Sequence, residues 1–169
     1  MKPLIKKING ITPKFGKDCY LSENTTIIGD VVCGDRCSFW FNSVIRGDVH
    51  FIKIGNEVNI QDGAIVHCTY KKSPTIIGNQ VTVGHNAIVH GCTIKDRVLI
   101  GMGAIVLDDC IIESDSIVAA GAVLTIGTQV KSGEIFAGVP AKKVKEGNFK
   151  KQLLALANKY IEYSKWYED

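Results

Sequence analysis

The chain lacks any run of about 18 apolar residues, which excludes a helix that spans a bilayer. Its opening residues, MKPLIKKING, carry lysines but no apolar stretch of secretory-signal length, so a cytoplasmic location is expected. It has no C-x-x-C pair, which removes the zinc-ribbon class. Six cysteines in a signal-less chain read as reduced core residues, not as a disulfide framework. It also has no arginine-rich segment. Residues 142–169 hold seven lysines against four acids, the whole of the +3 net charge, and residues 1–141 balance at 13 against 13. A nucleic-acid binder needs a basic face on its folded body, so neither nucleic acid nor membrane is expected as a partner. What remains is 169 residues, 46% hydrophobic and 22% charged, a composition suited to one globular domain.

A six-residue period runs through most of the chain. Apolar residues stand at Leu21, Ile27, Cys33, Phe39 and Ile45, then Ile54, Ile60 and Val66, then Ile77, Val83 and Val89, then Ile94, Ile100, Val106, Ile112, Val118 and Leu124. Four places after each comes a small residue, Tyr70 being the exception. Glycine often follows the apolar residue, as in Ile54-Gly55 and Ile100-Gly101, which predicts unusual dihedrals there. Positions six apart march around a helix instead of lining one face, so the period suits short strands joined by corners. Three hexads make a triangular coil, and coils stack about 4.8 Å apart. The pattern resembles the hexapeptide-repeat family of left-handed parallel β-helices, and an all-β fold of that kind is expected. The left hand rests on the resemblance, since the crossover rule favours the right. A sandwich of alternating strands is the competing reading, with turns every 8 to 12 residues or thereabouts.

Residues 51–53 interrupt the period with three extra residues, 70–76 insert a loop, the side at Val89 is one residue short, and the period fades after Leu124. From Asn148, a plausible cap, the apolar spacing becomes helical: Phe149, Leu153, Leu154, Ala157, Tyr160, Ile161 and Ser164 share one face. The expectation is a β-helix over 1–147 and, within the same domain, a helix over 148–169 packed along it.

Counting hexads gives three columns: A (Ile45, Val66, Val89, Val106, Leu124), B (Ile54, Ile77, Ile94, Ile112) and C (Ile60, Val83, Ile100, Val118). His67 and His90 each follow a column A residue and should stack one coil apart. His85 lies two residues after Val83, on another side of the triangle. Three subunits around a threefold axis can set column C of one against column A of the next, so the register predicts a metal in a homotrimer interface. Three imidazoles with an open fourth position suit hydrolytic or hydration zinc; iron or cobalt accepts the same nitrogens. Such a cation lowers the pKa of its bound water to about 7, giving a hydroxide that attacks a small electrophile such as carbon dioxide. Arg46 stacks under His67 and Asp62 under His85, which predicts an Arg46–Asp62 pair between subunits, with Asp48 supporting the arginine. Gln61 is placed to hydrogen-bond a ligand on the metal, and His50 reads as a surface residue.

The segments Val44-Ile45-Arg46-Gly47-Asp48, Asn59-Ile60-Gln61-Asp62-Gly63, Val83 through Cys92 and Gly101-Met102-Gly103-Ala104 resemble those of the γ-class carbonic anhydrase family over roughly residues 10–165. The resemblance implies a homotrimer that hydrates carbon dioxide to bicarbonate. Zinc, or iron, would be bound by His67 and His90 of one chain and His85 of the next, and Arg46, Asp48 and Asp62 would hold the interface. It further implies that Asn59 and Gln61 organise the site and that Tyr160 lies near the metal. The founding type of the family carries proton-relaying glutamates on a longer acidic loop. Here the segment after His67, Cys68 to Pro74, has no carboxylate and resembles the short-loop branch. General acid–base help is typically worth about 10² to 10⁴ in rate, so fast turnover does not follow from the resemblance. Cys68 and Cys92 read as small core residues. Three alternatives stay open: an acyltransferase using acetyl-coenzyme A, whose hexapeptide relatives also carry Gly138-Val139-Pro140-Ala141; a small-acyl thioesterase; and an assembly module with a structural metal.

Overall fold

The computed structural model describes residues 2–167. Short strands wind into a left-handed parallel β-helix of about seven turns, followed by one helix. Its three columns are those that counting by sixes predicts. Ile45, Val66, Val89, Val106 and Leu124 pair in register on one face. Ile54, Ile77, Ile94 and Ile112 do so on the second, and Ile60, Val83, Ile100 and Val118 on the third. Their side chains fill the prism, where Ile27, Phe39, Ile60, Ile100 and Leu124 are wholly buried. Each such aliphatic side chain stabilises the fold by about 1.5–3 kcal/mol relative to an exposed one.

The repeat outlasts the sequence pattern. Val130 pairs with Ile112 and Phe136 with Val118, so the period does not fade after Leu124. What hides it is Glu134, which occupies a small-residue corner. Its carboxylate fits there because Oε2 accepts the Lys131 N–H at 2.8 Å and Oε1 lies 3.0 Å from Lys143 Nζ. The glycine expectation also changes. The left-handed residue at a corner is the third after the apolar one, as in Asn42 (φ 58°), Asn86 (φ 57°) and Asp115 (φ 63°). The glycine directly after the apolar residue serves close stacking instead: a Cβ on Gly101 would lie 2.4 Å from the Ala120 nitrogen of the next coil.

The insertion at 51–53 lengthens a strand without breaking it. Val44–Ile54 bends around a corner and pairs with strands on two faces. At the end of the prism, Glu134–Gly138 also pairs antiparallel with Ala141–Glu146. The helix spans Lys150–Ser164 and buries Leu153, Ala157 and Ser164, members of the predicted apolar face. Its cap is Phe149, one residue later than expected. Asn148 still contributes, its Oδ1 accepting the Lys150 N–H at 3.2 Å. The helix packs along the column C face, against Ser38–Phe39 and Thr82–Val83, and Tyr160 meets Trp40 edge-on with ring centroids 5.6 Å apart. Among the described residues, no helix is long and apolar enough to cross a membrane.

Candidate metal centre

The column A face carries a continuous chain of charged and aromatic groups. His67 and His90 are directly paired on adjacent coils, as the register requires. Arg46 Nη1 donates to Asp48 Oδ2 at 2.6 Å, and Asp48 Oδ1 lies 3.0 Å from His67 Nε2. His67 Nδ1 faces His90 Nε2 at 3.1 Å, and His90 Nδ1 lies 2.6 Å from Asp108 Oδ1. Thr69 Oγ1 donates to the other Asp108 oxygen at 2.5 Å. Burial lowers the His67 pKa, and the Arg46 charge adds to this against the pull of Asp48, so the ring is held neutral. Burial alone would raise the Asp48 carboxyl, but hydrogen bonds from Arg46 and His67 outweigh it and keep Asp48 ionised.

His85 sits on the column C face, where its Nδ1 lies 2.8 Å from Asp62 Oδ2. Asp62 and His85 line a cavity of about 230 Å³ together with Trp40, Phe41 and Tyr160. On the same face, Asn59 Nδ2 donates to Thr82 Oγ1 at 2.9 Å and Gln61 Nε2 donates to Asn59 Oδ1 at 3.1 Å. The Gln61 Oε1 is buried and has no partner, and Gln61 lines a second cavity, of about 340 Å³, beneath Leu156 and Tyr160 of the helix. Burial, with the Asp62 charge adding, raises the Tyr160 hydroxyl above its ordinary pKa.

The candidate residues therefore fall into two groups within one chain. Arg46, Asp48, His67 and His90 meet on one face. Asp62 and His85 meet on another, with Tyr160 on the same cavity wall, and Asn59 and Gln61 are hydrogen-bonded to each other on that face. Arg46 takes Asp48 and Asp62 takes His85 as partner, so the chain by itself makes no Arg46–Asp62 pair. The three histidines do not converge within the chain, where the one group of three potential ligand atoms among the described residues is a set of cysteines. His50 is partly exposed, and its Nδ1 accepts the Phe51 N–H at 2.9 Å. Cys68 and Cys92 are buried core residues as expected.

Asp108 escaped the sequence reading. Its signal was available, because it lies two residues after Val106 in column A, one coil beyond His90. The segment Cys68 to Pro74 carries no carboxylate of its own, yet the next coil supplies two: Asp108 to Thr69, and Asp109, whose Oδ1 accepts from Ser73 Oγ at 2.7 Å.

The donor set fits a divalent transition ion. A ligating imidazole ordinarily gives its second nitrogen to a carboxylate, which fixes tautomer and ring orientation. His67, His85 and His90 each have such a partner in Asp48, Asp62 and Asp108. The nitrogens of His67 and His90 that face no carboxylate stand 3.1 Å apart, close to the roughly 3.3 Å between two nitrogens that share a tetrahedral zinc ion.

Residues 91–125 match the model of a family described as bacterial transferase hexapeptide (six repeats). The chain is 41% identical over 136 residues to γ carbonic anhydrase 2 of Arabidopsis thaliana mitochondria, covering 78% of this chain and 49% of that one. It thus spans about half the length of that plant relative. It is 41% identical over 130 residues to a probable carbonic anhydrase of Methanocaldococcus jannaschii, covering 77% of this chain and 81% of that protein. A solved structure described as a putative acetyltransferase of Bacillus cereus superposes with a TM-score of 0.94 at 35% identity, covering 99% of this chain and 98% of that one.

Proposed function

The chain belongs to the γ-carbonic anhydrase family of hexapeptide-repeat proteins, and from that premise we propose that it is a metal-dependent lyase that hydrates carbon dioxide to bicarbonate at the interface of a homotrimer. The observation that carries this reading is the backing of three histidines, and not of the fourth, by one carboxylate each. That arrangement fixes the tautomer and ring orientation of a ligating imidazole and raises its basicity toward the ion. His67 and His90 of one subunit and His85 of its neighbour would hold zinc, iron or cobalt, and such an ion supplies a Lewis acid that makes water nucleophilic near neutral pH. Arg46 fixes Asp48, and Asp48 in turn fixes His67. In the assembled trimer Arg46, Asp48 and Asp62 sit at the contact. Asn59 turns the Gln61 amide so that its free Oε1 can accept a hydrogen bond from water or bicarbonate. Tyr160, with its hydroxyl kept protonated, covers the cavity and limits water. Asp108 and Asp109 are the acidic groups nearest the short segment after His67.

The test is metal content together with carbon dioxide hydration, measured on wild type and His85→Ala after anaerobic purification and reloading with zinc or iron. Loss of both metal and hydration in His85→Ala supports the reading; a wild type that binds no metal sinks it. A second reading, acyl transfer from acetyl-coenzyme A, is favoured by the likeness to the Bacillus cereus protein. Coenzyme A affinity in metal-free protein would mark it out.

A further inference from the structure

The aliphatic stack is replaced by sulfur at the N-terminal end of the prism. In the next three coils, the corner leading from the column B face is filled by Ile54 with Val58, Ile77 with Val81 and Ile94 with Val98, all buried. In the first full coil the equivalent places hold Cys33, paired with Ile54, and Cys37. Cys19 adjoins the pairing of Tyr20 with Ser38 and so stacks next to Cys37. The three sulfur atoms all lie within 4.8 Å of one another. Cys19 Sγ is 4.0 Å from Cys33 Sγ, and all three thiols are free.

A free cysteine is ordinarily just a small core residue. Packing does not call for three at one corner, because isoleucine and valine fill the same corner in each of the next three coils. Cys68, Cys92 and Cys110 lie elsewhere in the core and do not gather so closely. At a metal–sulfur distance of about 2.3 Å, sulfurs sharing one ion stand roughly 3.8–4.0 Å apart, the separation of Cys19 and Cys33. We propose that Cys19, Cys33 and Cys37 form a second metal site, one that takes a single soft d10 cation of the class of zinc, cadmium or monovalent copper through three thiolates. Cys33 and Cys37 are buried, whereas Cys19 is only partly covered and opens the site to solvent. The three thiols release their protons to solvent as the metal–sulfur bonds form. The site shares no residue with the histidine centre, and its occupancy is independent of hydration.

The probe is cadmium, titrated into the reduced full-length chain and read by its thiolate-to-metal charge-transfer absorption, which imidazoles do not give. One such equivalent per chain is expected. It should persist in the His67→Ala, His90→Ala double variant. It should fall at least tenfold in affinity in Cys19→Ser, whose side chain is half-exposed and whose replacement leaves the core intact. In the Cys33→Ile, Cys37→Val variant, patterned on the coil above, it should vanish with an unchanged circular dichroism spectrum. No charge-transfer band in wild type overturns the proposal. So does a band unaltered in Cys19→Ser, or a Cys19–Cys33 disulfide that, once reduced, yields thiols without cadmium affinity.

Discussion

Gly91 and the Asp108 carboxylate compete for one place: a Cβ on Gly91 would lie 2.2 Å from Asp108 Oδ1, the oxygen that faces His90 Nδ1. Gly91 also has φ +56°, at the side that is one residue short. An alanine there must push the carboxylate off the imidazole or shift the coil. Gly91→Ala should therefore weaken metal binding by about tenfold or more through the lost carboxylate contact. Backbone strain should also destabilise the fold by roughly 1–3 kcal/mol. Metal competition with a chelating dye and a thermal melt check the two effects separately.

Asp108→Asn isolates the carboxylate from the backbone. The amide keeps the volume and can still accept from Thr69, but it no longer offers His90 a charged acceptor. Removal of a partner of this kind typically costs about 10- to 100-fold in metal affinity, and the melting temperature of the apo protein should change little. Unchanged affinity would show that His90 needs no carboxylate.

The legibility of the molecule follows its chemistry. The prism was readable because each inward side chain must be apolar and each corner small, so Ile60, Val83, Ile100 and Val118 announce their column through burial alone. Glu134 breaks that rule by bringing its own hydrogen-bond partners, and the last turn was lost from view. His67 and His90 were legible because the period fixes their stacking. Asp108 was overlooked although counting places it one coil beyond His90; what counting does not give is that its carboxylate turns back to His90 Nδ1. The cysteine corner was missed for a third reason: Cys19 precedes Leu21, the first apolar position of the counted period, so hexad counting never placed it one coil below Cys37.

Glu134 gives the fold an acid limit. Its carboxyl is held below the ordinary 4.5 first by the Lys131 backbone N–H and then by Lys143. A depressed folded pKa contributes stability that is fully present above the unfolded value and is lost as pH falls through the folded one. Wild type should therefore exceed Glu134→Gln in melting temperature above about pH 5, and the gap should close below pH 4 or so. A gap that stays constant from pH 7 to roughly pH 3 would assign the difference to shape rather than charge.

Ile100 is wholly buried between Val83 and Val118 in column C. Coils stack rigidly through backbone hydrogen bonds and have little room to collapse around a void. Ile100→Ala should accordingly cost about 2–5 kcal/mol and Ile100→Val about 0.5–1.5 kcal/mol in denaturant unfolding. Equal costs for the two would mean that the stack relaxes.

The trimeric site makes a quantitative demand on mixed assemblies. His85→Ala retains His67 and His90, and His90→Ala retains His85, so each homotrimer lacks every site. In a ring where His67 and His90 of one subunit meet His85 of the next, any trimer containing both variants has one interface with all three imidazoles intact. Random assembly from equal amounts leaves three-quarters of trimers mixed, with one of three sites complete, so about one-quarter of wild-type metal and hydration activity should return. Coexpression of the two variants, with metal measured per trimer, tests this. A site contained within one chain restores nothing on mixing, because neither variant can complete it. Recovery near one-quarter is thus the signature of a ligand donated across the interface, and its absence would return His85 to an ordinary surface pair with Asp62.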